Sequence, residues 1–159
     1  MMKNFNLKTN SFGVALVASL ALLTSSISAI ADETCMSPYM AKIVGQEDYV
    51  YVWTLGVKGL GDEQDKLVTI DVNPSSKDYG KIVDSLSVGG RNEAHHSGLT
   101  DDRRHLWAAG LDTNKIFIFD IASDPAKPKL TKIIDDFVAA SGGVVGPHTT
   151  YAMPGRMLV

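Results

Sequence analysis

The sequence is poor in cysteine and in charge of one sign, and each shortage removes a class of protein. One cysteine, Cys35, in 159 residues leaves no intramolecular disulfide framework. Fifteen basic against 18 acidic side chains give a net charge of −3, and no basic stripe marks a nucleic-acid or anionic-membrane surface. Helical period is nearly missing as well. Outside a turn or two at residues 136–140, no window of a dozen residues repeats its apolar positions at helical spacing. Gly56, Gly59 and Gly61 fit neither a dinucleotide nor a P-loop spacing and read as a surface loop. There is no G-x-S-x-G elbow, and Ser97 beside His96 has no third partner. Low-complexity tracts and a collagen period are also absent, and 45% hydrophobic with 21% charged residues is the composition of a globular chain.

Long hydrophobic runs are lacking too. The apolar stretch from Phe12 to Leu23 is shorter than the roughly 20 residues a membrane span needs. Lys3 and Lys8 precede it and Ala29-Ile30-Ala31 follows it, which is the pattern of a secretory leader cleaved after Ala31. The expectation is a signal peptide over residues 1–31 and a periplasmic or secreted mature chain that starts at Asp32 and carries no membrane anchor. That mature chain keeps 13 basic and 18 acidic side chains. Cys35 then lies close to the mature N-terminus, as a flexible unpaired thiol, a metal ligand or half of an intermolecular disulfide.

What the chain has in quantity is short β-branched and aromatic runs separated by Gly, Pro, Asp and Asn. They cover Tyr49 to Leu55, Leu67 to Val72, Ile82 to Val88, His105 to Leu111, Ile116 to Ile121 and Leu130 to Ile134. Length and composition make them strands, so the chain is all-β. Asp112-Thr113-Asn114 between two of them is hairpin-turn chemistry. Internal repetition narrows the architecture. Lys66-Leu-Val-Thr-Ile-Asp71-Val aligns with Lys115-Ile-Phe-Ile-Phe-Asp120-Ile at an offset of 49, and His96, Arg104 and Leu106 align with His148, Arg156 and Leu158 at an offset of 52. Two segments repeating at one period predict a β-propeller, with an ordinary sandwich as the competing fold. A closed propeller needs about 4 to 8 blades, whereas residues 32–159 provide two to three. The expectation is therefore an N-terminal portion of a propeller domain, truncated at its C-terminus.

The repeat places histidines at corresponding points: His95 and His96 at the entry to one unit, His148 at the entry to the next. Strands that open neighbouring blades converge near the axis. Three imidazoles there would form a metal site suited to Zn, Cu, Fe or Ni. One objection is that adjacent residues of a regular strand face opposite ways. His95 and His96 can share a metal only where the backbone is irregular, which Gly89-Gly90 and Gly98 allow. His105 has no counterpart in the next unit and is expected to be a surface or packing residue. Asp101-Asp102-Arg103-Arg104 is expected to be a solvated turn with weak local ion pairs.

Several segments together carry a resemblance. They are Asn92-Glu-Ala-His-His-Ser-Gly-Leu-Thr-Asp-Asp-Arg-Arg104, Leu106-Trp-Ala-Ala-Gly-Leu-Asp112 running on to Asp120, Asp124-Pro-Ala-Lys-Pro-Lys-Leu130, and Gly146-Pro-His-Thr-Thr-Tyr-Ala-Met-Pro-Gly-Arg156. From about Cys35 onward the chain resembles the selenium-binding protein family, whose bacterial members include methanethiol oxidase. The resemblance implies a seven-bladed propeller and an exported, copper-dependent enzyme. Its substrates would be a small thiol, methanethiol, together with O₂ and water; its products would be formaldehyde, hydrogen sulfide and hydrogen peroxide. It further implies His95, His96 and His148 as copper ligands, with no nucleic-acid partner. Eukaryotic members carry more cysteines in this region, whereas the stretch around Tyr79-Gly80-Lys81 has none, which argues against selenium held by cysteine here. Two other readings stay open: a selenium- or metal-binding carrier or scaffold without turnover, and an inactive fragment.

Overall fold

The computed structural model describes residues 37–159, so the expected leader, the cleavage point and Cys35 lie outside the described residues. Within them the chain folds into three successive antiparallel sheets. The first contains β1 (Tyr49–Thr54), β2 (Lys66–Asp71) and β3 (Ile82–Ser87). The second contains β4 (Ala94–Leu99), β5 (His105–Gly110), β6 (Lys115–Asp120) and β7 (Lys129–Ile134). After a single helical turn, α1 (Phe137–Ala140), β8 (Tyr151–Met153) and β9 (Arg156–Leu158) form the third. Each sheet pairs its strands in chain order, which is the meander of a propeller blade. Among the described residues no helix is long and apolar enough to cross a membrane.

The repeat noted in the sequence falls on β2 and β6, the third strand of a four-stranded blade. Both copies end in an aspartate that caps the following turn. Asp71 accepts the amide of Asn73 at 2.9 Å and the hydroxyl of Ser76 at 2.6 Å. Asp120 accepts the amides of Ala122 and Ser123 at 2.9 and 3.0 Å, and the Ser123 hydroxyl. Side-chain oxygens that take up nearby amides are why Asp and Ser recur at these turns. These bonds, the Ser123 hydroxyl first, hold the Asp120 carboxyl down at about 2 from an ordinary 3.8.

Blades adhere face to face. Leu67 of the first blade is buried against Leu106, Ala108, Phe117, Phe119 and Ile121 of the second. Trp53 lies over this cluster, its ring centroid 5.5 Å from Phe117 and 5.9 Å from Phe119, while its indole N–H donates to the Ala109 carbonyl at 2.9 Å. An indole fits here because its ring is apolar and its one donor finds an acceptor.

Beside the aromatic contact sits a fully buried carboxylate, Asp65. It accepts the amide of Gly56 at 2.7 Å and that of Asn92, at the mouth of the second blade, at 2.9 Å. Gly56 is required at its position, because a Cβ there would run into the backbone of Glu63. The surface loop expected over Gly56, Gly59 and Gly61 is thus exposed over residues 57–63, while Gly56 itself is buried.

The Asp101–Arg104 turn also does more than its charges predict. The Asp101 carbonyl accepts the Ala41 amide at 2.6 Å and its carboxylate accepts the Gly155 amide at 2.8 Å, while Arg103 pairs with Glu47. The turn therefore joins the N-terminal segment, the second blade and the β8–β9 hairpin.

Two stability experiments follow. Asp65→Ala strands two buried amides, and chemical denaturation should register a loss of about 2–4 kcal/mol. Asp120 has a folded-state pKa below its unfolded value, so its contribution is complete above about pH 4 and lost as pH falls through about 2. Asp120→Asn should flatten the acid limb of the stability–pH profile in that window; an unchanged limb would refute the turn's role.

Candidate metal centre

β4 opens the second blade on the inner side, and its sequence Ala-His-His-Ser-Gly-Leu is not one that composition marks as a strand. Its start is held by Asn92. The Asn92 side chain donates to the carbonyls of Gly89 and Gly90 at 3.1 and 3.3 Å and accepts the Thr113 hydroxyl at 3.0 Å, while its own amide goes to Asp65. Glu93 follows with φ of 57°, a left-handed conformation costly for a residue with a Cβ. Pairing with β5 then slips between Ala94 and Ser97. This bulge removes the objection raised by the adjacency of the two histidines, because the strict alternation of side chains is suspended over this stretch.

His148 arrives from the loop before β8, on the third sheet. Gly98 and Thr150 set the spacing. Each lies two residues beyond a histidine of the cluster, and a Cβ on Gly98 would collide with the Thr150 hydroxyl and come within 3.1 Å of its carbonyl oxygen. That hydroxyl is buried without a hydrogen-bond partner. The close approach of β4 to β8 thus depends on a missing side chain.

The outcome is a triangle of imidazoles. Ring centroids of His95 and His96 are 4.7 Å apart, those of His95 and His148 4.4 Å, and those of His96 and His148 4.7 Å. One ligand nitrogen from each falls within 4.8 Å of the others, and the Nε2 atoms of His95 and His148 are 2.9 Å apart. Desolvation first, then the charges of His95 and His148, hold the His96 imidazole below its usual pKa, which favours the neutral form that binds metal. All three histidines are exposed. A neutral three-nitrogen donor set without carboxylate or thiolate fits a borderline transition ion and is a poor host for magnesium or calcium.

His105 is not part of this group. It begins β5 half-buried, and its amide and carbonyl both bond to Thr100. Sequence reasoning did not single out Asp65, Asn92 or Thr150. A partial signal existed for Asn92, since it stands just after a Gly-Gly pair and just before the histidines.

Three exposed histidines brought together by β4 and by the loop before β8, on neighbouring sheets, mark the class as a β-propeller with a histidine cluster between its blades. Residues 29–159 match the family model for the 56 kDa selenium-binding protein, SBP56, and the chain belongs to that family. It is 61% identical over 153 residues to a methanethiol oxidase of Ruegeria pomeroyi, covering 96% of this chain and 35% of that protein. A Hyphomicrobium methanethiol oxidase is 66% identical over 130 residues, 81% of this chain and 29% of the relative. Selenium-binding protein 2 of Arabidopsis thaliana is 32% identical over 139 residues, 77% of this chain and 28% of that protein. The crystal structure of a hypothetical selenium-binding protein from Sulfolobus tokodaii superposes with a TM-score of 0.57 at 29% identity, over 75% of this chain and 29% of that one. The chain thus spans about a third of the length of the curated relatives it matches.

The Gly98–Thr150 contact yields a prediction. Gly98→Ala should push β8 away, destabilise the protein by about 1–3 kcal/mol and weaken metal binding. Adding Thr150→Ala should recover part of both losses, and a double-mutant cycle with no coupling would refute the contact's role.

Proposed function

We propose that the intact protein is a copper-dependent oxidoreductase that converts methanethiol, O₂ and water to formaldehyde, hydrogen sulfide and hydrogen peroxide. The convergence of His95, His96 and His148 carries this reading, and the two bacterial methanethiol oxidases at 61% and 66% identity support it. Copper, when bound, supplies a Lewis acid for a thiolate sulfur and a redox centre toward O₂. The protein's share is to keep three ring nitrogens in place and the cluster accessible. His95 and His148 each present a ring nitrogen toward the common point. His96, held below its usual pKa by desolvation and then by the two neighbouring imidazoles, offers its lone pair with less competition from a proton. Exposure of the rings leaves room for a one-carbon thiol to approach.

Export across the inner membrane belongs to the same proposal, because an enzyme that releases sulfide and peroxide is best kept outside the cytoplasm. The mature N-terminus recovered from the periplasmic fraction should then be Asp32.

The test is direct. The full-length protein should contain stoichiometric copper, consume oxygen with methanethiol and release sulfide. His148→Ala and His95→Ala should each lower copper affinity at least about 100-fold, more than the loss of an outer hydrogen-bond partner costs, and abolish turnover. Metal-free protein with full activity would refute the proposal. Copper loading without oxygen uptake on any small thiol would favour the carrier reading instead.

A further inference from the structure

His148 reaches the cluster from a stretch without regular structure. Residues 144–150 form neither helix nor strand, and the loop before them turns on two glycines in left-handed conformations, Gly142 at φ 78° and Gly143 at φ 104°. Val144 and Val145 are exposed, so apolar packing does not pin the leading part of this arm. Two residues before the histidine the chain is caught: the Gly146 amide donates to the Asn114 carboxamide oxygen at 2.6 Å. Among the described residues this is the one polar bond that ties residues 145–147 to the second blade. Gly146 is itself left-handed, at φ 70°, a Cβ on it would touch the Leu111 side chain, and Pro147 beside it is buried.

The other arm of the cluster is held from the same turn. Thr113 and Asn114 are neighbours at the tip of the β5–β6 hairpin. The Thr113 hydroxyl donates to the Asn92 side chain at 3.0 Å, three residues before His95, and the Leu111 and Asp112 amides donate to the Glu93 and Asn92 carbonyls at 3.1 and 3.2 Å. Gly110 keeps this contact close, because a Cβ there would come within 3.0 Å of the Asn92 Cβ and 3.1 Å of the Thr113 hydroxyl. One turn therefore grips the entry to β4 and, through its next side chain, the segment that carries His148.

We propose that Asn114 is a positioning residue for the histidine cluster, its carboxamide fixing the His148 arm to the turn that already holds the His95–His96 arm. The proposal rests on the reading of the cluster as a metal site. Residue chemistry supports it. Asn114 sits at φ 54°, where asparagine, aspartate and glycine are the residues best tolerated, and of these glycine has no acceptor to offer the Gly146 amide. A ligand on an untethered loop must be ordered when the metal arrives, a cost that a bond made beforehand removes.

The test uses the full-length protein and added copper(II), and needs no turnover. Asn114→Gly keeps the left-handed conformation and removes the acceptor. It should lower copper(II) affinity about tenfold, the lower end of the cost of losing an outer partner, and change the nitrogen splitting in the paramagnetic resonance spectrum of the bound ion. Asn114→Asp keeps the acceptor and should return the affinity to within about threefold of the parent, with the parent's spectrum. Asp120→Asn, which loosens the turn after β6, should leave both unchanged. In the metal-free protein, hydrogen exchange of residues 145–150 should quicken about tenfold in Asn114→Gly and not in Asn114→Asp. Affinity, spectrum or exchange unchanged in Asn114→Gly, no recovery in Asn114→Asp, or an equal loss of affinity in Asp120→Asn would overturn the proposal. The expected pattern in a protein that binds copper without oxidising methanethiol would support the positioning role while overturning the oxidase reading.

Discussion

The carboxylate of Asp65 is buried with no cation paired to it among the described residues, and its two oxygens are taken by two backbone amides from different blades. Such a group is costly to bury unless both oxygens are satisfied, so the loop ending at Gly56 and the strand entry at Asn92 must come together around it. Much else depends on that junction. Asn92, fixed by its amide, spends its side chain on the carbonyls of Gly89 and Gly90 and on Thr113. The chain leaves Asn92 into the left-handed turn at Glu93 and the bulge of β4, and the bulge aims two adjacent histidines at one point.

Burial on the other side of the junction follows from the same requirement. A single blade has two apolar faces and cannot cover either by itself. Leu67 and Trp53 on one blade and Phe117 and Phe119 on the next exclude water only as a set. The aromatic packing supplies the bulk of the apolar contact, whereas Asp65 and the Trp53 N–H supply register. Apolar faces alone can slide past each other, but two amides and one indole donor with fixed acceptors cannot.

The fold was legible where the physics is local and repeated. Strand runs show in composition, and the Asp-capped turns after β2 and β6 recur with a period because each blade solves the same problem with the same residues. The histidines were legible for the same reason, as corresponding points of a repeat. What could not be read were elements whose stability comes from partners far along the chain. β4, with two histidines, a serine and a glycine, has little strand propensity and exists because β5 on one edge and Thr150 on a neighbouring sheet hold it. The Asp101–Arg104 turn looks like surface charge in sequence, yet it ties together residues 41, 47 and 155, which no local pattern relates.

Drawing the three histidines from separate blades has a consequence for how such a cluster tolerates change. His95 and His96 ride on β4 of the second sheet and His148 on the loop that leads into β8, so the distance between their nitrogens is set by blade-to-blade packing and not by a single strand's geometry. A metal tolerates ligand displacements of only a few tenths of an ångström, a smaller shift than the one a methyl group forces between β4 and β8. Stability and the geometry of the histidine triangle are therefore coupled through the junctions. A substitution that loosens Gly98 against Thr150 acts on the centre without touching it. A substitution on an exposed turn such as Asp120 alters stability and leaves the imidazoles where they are.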